Sequence, residues 1–225
     1  MGHPHSANTD LNPIRTMNVT IFGATGNAGN RILRELLVRK HRVKAIVRNP
    51  AKLPAETGLT VEKGDLSNPS FIAEAVRGAD AVVSAYGPGL NSPSELVSAT
   101  ERLVKGLKLA GVARLLMVGG AGSLEVAPGV QLIDSGYLPE EWKPIAVAHR
   151  DALEILKSSD LDWTSLCPAA YFEPGKRTGV FRLGKNNLVA NEKGESRISM
   201  EDYAIALVDE LEKHAHSRER FSVGY

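Results

Sequence analysis

A single cysteine, Cys167, stands in a chain of 225 residues, so no internal disulfide can form and a reducing, cytoplasmic setting is expected. No apolar run approaches the length of a membrane-spanning helix, and the polar first sixteen residues lack the apolar core of a signal peptide. Excess charge of either sign is missing too. The 27 Lys plus Arg residues face 26 Asp plus Glu, a formal net charge of +1. Nucleic-acid and membrane-surface partners are usually announced by a basic excess, so neither is expected. The pattern Gly-x4-Gly-Lys-Ser/Thr does not occur, which removes the phosphate-binding P-loop. A chain of this length needs no staple, because roughly 70% or more of its unfolded surface can be buried.

Residues 1–16 read as a flexible tail, with Met17 as the functional start and His3 and His5 as tail residues rather than metal ligands. From Met17 onward short apolar runs alternate with helical periodicity, the signature of parallel βαβ units. Strands are expected at 19–22, 43–47, 59–62, 81–84, 115–118 and 163–167, and helices at 28–40, 70–76, 95–110, 145–157 and 200–213. Ser199 is expected to cap the last helix, with Asp202 as the acidic partner of a capping box. Residues 119–143 are too long for an ordinary connection, and 168–197 suggest a small hairpin around Asn186-Asn187. A last edge strand is expected at 221–223. The whole is an α/β fold: one Rossmann-type, doubly wound parallel sheet over residues 17–225, with substrate-side elaborations at 119–143 and 168–199.

Val19-Thr20-Ile21-Phe22 runs straight into Gly23-Ala24-Thr25-Gly26-Asn27-Ala28-Gly29. Gly23 permits the strand-to-helix turn, Gly26 lets the backbone approach a pyrophosphate, and Gly29 lets the helix pack closely on the sheet. Free N–H groups and partial positive charge at the helix start then favour a diphosphate. The end of the second strand discriminates between cofactors. An acid there would bind a ribose 2′-hydroxyl, but Arg48 stands at that place with Lys52 close behind. NADP(H) is therefore preferred, with NAD(H) possible. Asp65 and Leu66 follow the third strand, and Ala85, Tyr86 and Gly87 the fourth, at the carboxyl ends where such sheets bind ligands.

The Gly-Ala-Thr-Gly-x-x-Gly turn, Val47-Arg48-Asn49-Pro50 and Gly64-Asp65-Leu66 resemble the atypical short-chain dehydrogenase/reductase superfamily. Within it the chain is similar to the NAD(P)-binding group of NmrA-like proteins and the NADPH-dependent flavin reductase known as biliverdin reductase B. Residues 118–126, 161–164 and 198–204 resemble a small bacterial branch of flavin-reductase- or epimerase-like proteins. The resemblance implies Gly23 to Gly29 as the diphosphate loop, including Thr25, Gly26, Asn27 and Ala28, and Arg48 as the 2′-phosphate ligand. It implies Asp65 and Leu66 beside adenine, and Ala85 to Gly87 beside the nicotinamide-side ribose. Gly119, after the fifth strand, and Pro168, Ala169 and Ala170, after the sixth, would complete the cofactor site.

One departure limits the chemistry. Standard short-chain dehydrogenases use a Tyr-x3-Lys pair, and none of Tyr86, Tyr137, Tyr171 or Tyr203 has a lysine four residues later. Gly119-Gly120 also occupies the place of their usual serine. The flavin reductase has a pocket histidine at an offset like that of His149 from Ser159, which implies His149 as a substrate-pocket or proton-donating residue. Tyr86 is the other candidate catalytic residue; Tyr137 and Trp142 could form an apolar lid. His214 and His216 sit two apart on the last predicted helix, on different faces, and no metal site is expected. Cys167 reads as buried packing.

The leading expectation is an NADPH-dependent reductase passing hydride to a small flavin- or quinone-like acceptor, which needs little acid–base help. The alternatives are a non-catalytic NAD(P) sensor controlling a protein partner, as in NmrA-like proteins, and an epimerase- or dehydratase-like enzyme. Monomer and homodimer both remain open.

Overall fold

The computed structural model describes residues 15–87, 89 and 92–225; the predicted tail, with His3 and His5, falls almost wholly outside them. In chain order the elements are β1 (Asn18–Phe22), α1 (Asn27–Val38), β2 (Arg42–Val47), β3 (Leu59–Lys63), α2 (Pro69–Ala75), β4 (Ala81–Ser84), α3 (Glu95–Ala110) and β5 (Arg114–Val118). They continue with β6 (Glu125–Ala127), β7 (Val130–Gln131), α4 (Lys143–Ser158), β8 (Asp162–Cys167), β9 (Tyr171–Glu173), β10 (Arg182–Gly184), β11 (Arg197–Ser199), α5 (Met200–Lys213) and β12 (Glu219–Gly224).

The main sheet has the order β10-β12-β8-β5-β4-β1-β2-β3, parallel except for β10. The strand order reverses between β1 and β4, and ligands of doubly wound sheets bind at that switch point. Helices α1 and α5 cover one face and α2, α3 and α4 the other. On α1, Ile32, Leu33, Leu36 and Leu37 recur at helical spacing and are all buried against the sheet and α5. Ion pairs reinforce that contact: Arg31 Nε lies 2.6 Å from Glu201, and Arg39 Nη1 lies 2.7 Å from Asp209 and 2.6 Å from Glu212.

Several expectations change at the carboxyl-terminal end. Residues 221–223 do not form an edge strand. They lie within β12, between β8 and the antiparallel β10, which is the true edge. Asn186-Asn187 turns no hairpin, because β10 pairs with β12; Asn186 instead accepts from the Glu125 amide at 2.9 Å. The partner strand of β10 is some forty residues away in sequence, so no local hairpin signal could identify it. The long segment after β5 is not irregular throughout, holding the β6–β7 pair and short 3-10 turns.

Only half of the capping box forms. Ser199 Oγ accepts from the Asp202 amide at 3.0 Å, but the Ser199 amide donates to the Tyr225 hydroxyl at 3.2 Å. The buried Asp202 carboxylate turns the other way. It accepts from the Thr178 amide (2.7 Å), the Thr178 hydroxyl (2.6 Å), the Gly179 amide (2.8 Å) and the Tyr225 hydroxyl (2.8 Å). Residues 174–180 are thus strapped to the start of α5. Arg177 fastens the same strap to α1 through a two-pronged contact with buried Glu35, at 3.0 and 2.9 Å.

Candidate functional site

The three glycines of the turn do different work. Gly23 adopts φ +85°, and a Cβ there would lie 2.4 Å from the Ala85 carbonyl oxygen. The turn therefore presses directly on the end of β4. A Cβ on Gly29 would lie 2.0 Å from the Gly23 carbonyl oxygen, so this glycine lets α1 close onto the turn. Gly26 has an ordinary φ of −79°, and the nearest atom to a Cβ there is 3.3 Å away. The fold needs glycine at 23 and 29. At the exposed position 26 the fold asks less of the glycine, a Cβ there being tight only against the Gly23 carbonyl oxygen, and the open side faces outward. No side chain caps α1 and no acid occupies its first turn, which leaves its positive end open to a diphosphate.

Above the turn lies a cleft of about 510 Å³ at the β1–β4 switch point. It brings together Gly23, Thr25, Gly26, Arg48, Asp65, Leu66, Ala85, Tyr86 and Gly87 from the predicted set. Lys52, Ser67 and Glu95 also line it. Of these, Ser67 and Glu95 gave no motif signal: Glu95 reads in the sequence only as the acid opening a long helix. Asn27, Ala28 and Gly29 lie just behind the turn as the first residues of α1.

Arg48 leaves the end of β2 exposed to solvent. The Asn49 side chain then accepts from the Ala51 amide at 3.2 Å, shaping the short turn Pro50–Lys52 that returns Lys52 to the same cleft. Asp65 Oδ1 accepts from the Ser67 amide at 2.9 Å, as a turn aspartate does. Hydrogen bonds from Ser67, followed by the charges of Arg48 and Arg102, hold its carboxyl below the usual range. The Leu66 carbonyl accepts from Arg102 Nε at 2.6 Å, and Arg102 also pairs with Glu95. Burial, then the Glu95 charge, pushes the Tyr86 phenol up, so at neutral pH it keeps its proton and acts only as a donor or packing surface.

His149 sits outside this cleft, on α4 beneath the end of β5. A Cβ on Gly120 would lie 2.7 Å from the His149 Cβ, so the Gly119-Gly120 pair admits the imidazole. Its Nδ1 is buried and has no hydrogen-bond partner among the described residues. Burial brings its pKa down to about 4, and the ring is neutral at physiological pH. Gly119 is itself buried, with its amide donating to the Leu166 carbonyl at 2.8 Å. Pro168 and Ala169 are buried at the end of β8, and Ala170 is exposed. Sequence reasoning missed Tyr203, fully buried on α5, whose hydroxyl donates to the Leu166 carbonyl at 2.7 Å. Burial raises the Cys167 pKa to about 11, leaving an unreactive thiol.

Helix α5 ends at Lys213, so His214 and His216 lie beyond it rather than on it. His214 Nε2 approaches Asp162 at 2.7 Å and His216 Nδ1 approaches Glu210 at 2.7 Å, two separate carboxylates. Among the described residues no three His, Cys, Asp or Glu side chains are grouped to hold a metal, and no helix is long and apolar enough to cross a membrane. Tyr137 and Trp142 are both exposed.

A family model described as NAD(P)H-binding matches residues 23–214. The "uncharacterized protein YwnB" of Bacillus subtilis (strain 168) is 44% identical over 211 residues, covering 92% of this chain and 98% of its own. A solved structure from Bacteroides thetaiotaomicron described as a "putative epimerase" shares 42% identity at TM-score 0.88, covering 94% of this chain and 98% of that one. A "putative NADH-flavin reductase" from Streptococcus pneumoniae shares 39% identity at TM-score 0.83, covering 92% and 99%.

Proposed function

Because this chain belongs to the NAD(P)H-binding family, we propose that it is an NADPH-dependent reductase that passes hydride to a small flavin- or quinone-like acceptor. Residues 17–225 serve as one cofactor-binding unit, with 119–143 and 168–199 on the substrate side. The observation that carries the cofactor preference is the pair of cations, Arg48 and Lys52, in the cleft beside the open glycine turn. Gly26, without a Cβ, and the uncapped start of α1 hold the diphosphate. Arg48 and Lys52 meet the 2′-phosphate, and Leu66 with Asp65 flanks adenine. The nicotinamide half lies toward Ala85–Gly87 and the ends of β5 and β8.

The bound cofactor supplies the hydride; the protein supplies position and exclusion of water. Neither candidate acid–base residue is tuned for proton transfer at neutral pH. His149 is already neutral, and Tyr86 holds its proton more firmly than a free phenol. An alcohol or sugar substrate needs a poised proton carrier. A flavin or quinone takes up protons from water, and this site suits such an acceptor. His149, packed at Gly120, offers the acceptor a hydrogen bond from a neutral ring.

The test is NADPH oxidation followed at its near-ultraviolet band with flavin mononucleotide, riboflavin and a series of benzo- and naphthoquinones. Stimulated turnover is expected. A panel without turnover, with oxidised and reduced cofactor bound equally well, would replace the reductase by a cofactor sensor. The same neutral His149 and protonated Tyr86 favour that second reading.

A further inference from the structure

At the opposite end of the sheet a second cleft, of about 470 Å³, is lined from the amino-terminal halves of β1 and β2, the start of β3 and residues 77–79. Strands buried on both faces read as continuous apolar runs, but these three do not. Asn18 pairs with Arg42, Thr20 with Lys44, and Lys44 with Thr60, so these side chains share one face. Farther along that face, Phe22 and Ile46 enter the core with α2 and α3. Helix α2 has only seven residues and ends at Ala75, whose carbonyl accepts from Lys44 Nζ at 2.9 Å. Short of that point the sheet is polar.

The charge there is one-sided. Arg42, Lys44 and Arg77 line the cleft and no acid does, in a chain whose overall charges almost cancel. Among the described residues neither Arg42 nor Arg77 has a carboxylate within ion-pairing distance. Two acids beside the cleft, Glu62 and Asp80, pair with its Lys44 and Asn18 and leave the two arginines unmatched. Glu62 lies 3.9 Å from Lys44 Nζ, and Asp80 accepts from the Asn18 amide at 2.8 Å while pairing with Arg15 at 3.1 Å. Lys44 and the Asn18 side chain are already partnered, by the Ala75 carbonyl and by Asp80 at 3.3 Å, so the two exposed guanidinium forks of Arg42 and Arg77 are the donors the cleft leaves without an acceptor.

We propose that this amino-end cleft binds a small phosphate-bearing anion, at a site separate from the cofactor cleft. Its volume falls in the range of small-molecule sites, and three cations are too few for a nucleic-acid track. Inorganic pyrophosphate is the probe, titrated calorimetrically into protein saturated with NADP so that the glycine turn cannot compete. One site with a Kd below about 1 mM is expected, weakening as salt rises. Arg42→Gln with Arg77→Gln, both exposed positions, should weaken it at least about tenfold while leaving the circular dichroism spectrum and NADP binding unchanged. Absence of heat up to about 10 mM probe, or a double variant within about twofold of the parent, overturns the proposal. Should NADP itself fail to bind, the titration on Gly26→Ala still separates the clefts, because loss of pyrophosphate binding there would assign the signal to the glycine turn and refute the second site.

Discussion

Replacing Arg48 by alanine should change which dinucleotide the protein prefers far more than how firmly it holds dinucleotides in general. Arg48 is exposed at the end of β2, so its attraction for a 2′-phosphate acts partly through water. Two unit charges about 4 Å apart are worth about 1 kcal/mol in bulk water and about 4 kcal/mol near a protein surface. A charge-assisted hydrogen bond contributes about 1.5–3 kcal/mol, which corresponds to roughly a tenfold to hundredfold change in affinity. Asp65 stands close enough for its carboxyl to feel the Arg48 charge, and that competition argues for the lower half of the range. Lys52 lines the same cleft and retains part of the attraction. The expected outcome for Arg48→Ala is an NADPH Kd raised about tenfold to thirtyfold, with the NADH Kd changed less than about threefold. The Arg48→Ala/Lys52→Ala pair should bring the two cofactors close to parity. Titration of the intrinsic cofactor fluorescence at two salt concentrations measures both ratios, and the parent should lose its preference as salt rises. Equal losses for NADPH and NADH, or an unchanged ratio, would refute the assignment of Arg48 to the 2′-phosphate.

Gly26→Ala should fold with a smaller loss of Tm than Gly29→Ala yet bind dinucleotide at least about tenfold more weakly, whereas Gly29→Ala, whose Cβ would strike the Gly23 carbonyl, should lose about 1–3 kcal/mol or more on thermal melting. The His149 pKa lies at about 4 in the fold against 6.5 as a free side chain. Its folded value is depressed, so this contribution to stability is complete above about pH 6.5 and is lost as pH falls toward 4. Denaturant melts of His149→Leu should therefore show a shallower acid loss over that window than the parent, by up to about 3 kcal/mol, and identical slopes would place the ring in solvent. Asp202→Ala strands the Thr178 and Gly179 amides and should cost about 3–5 kcal/mol, with faster amide exchange confined at first to residues 174–180.

Much of the parallel sheet was legible because each of its central strands is a short apolar run bounded by turn residues, as in Ala81–Ser84. The glycine turn was legible because its spacing encodes steric demands that the fold makes at Gly23 and Gly29. Beyond β8 the local signals failed for a physical reason. β10 and β12 pair across some forty residues of chain, and Asp202 is recruited by Thr178 and Tyr225 rather than by its own helix. Glu95 and Ser67 enter the cleft only through tertiary placement, and no periodicity announces that. His149 was singled out by resemblance. Its burial at Gly120, with an unpartnered Nδ1, depends on a packing that the residue's sequence neighbours do not encode.

The embrace of α1 by α5 has a bearing on how the chain must assemble. During vectorial synthesis the leucine-rich stripe of α1 emerges early, while its covering helix is made some 170 positions later, as the Arg31–Glu201 and Arg39–Asp209 pairs mark. The layer formed by α2, α3 and α4 can condense as soon as it leaves the ribosome; the opposite layer must wait with apolar surface bare. Nascent chains halted before residue 200 should accordingly be the ones that chaperones hold and proteases find.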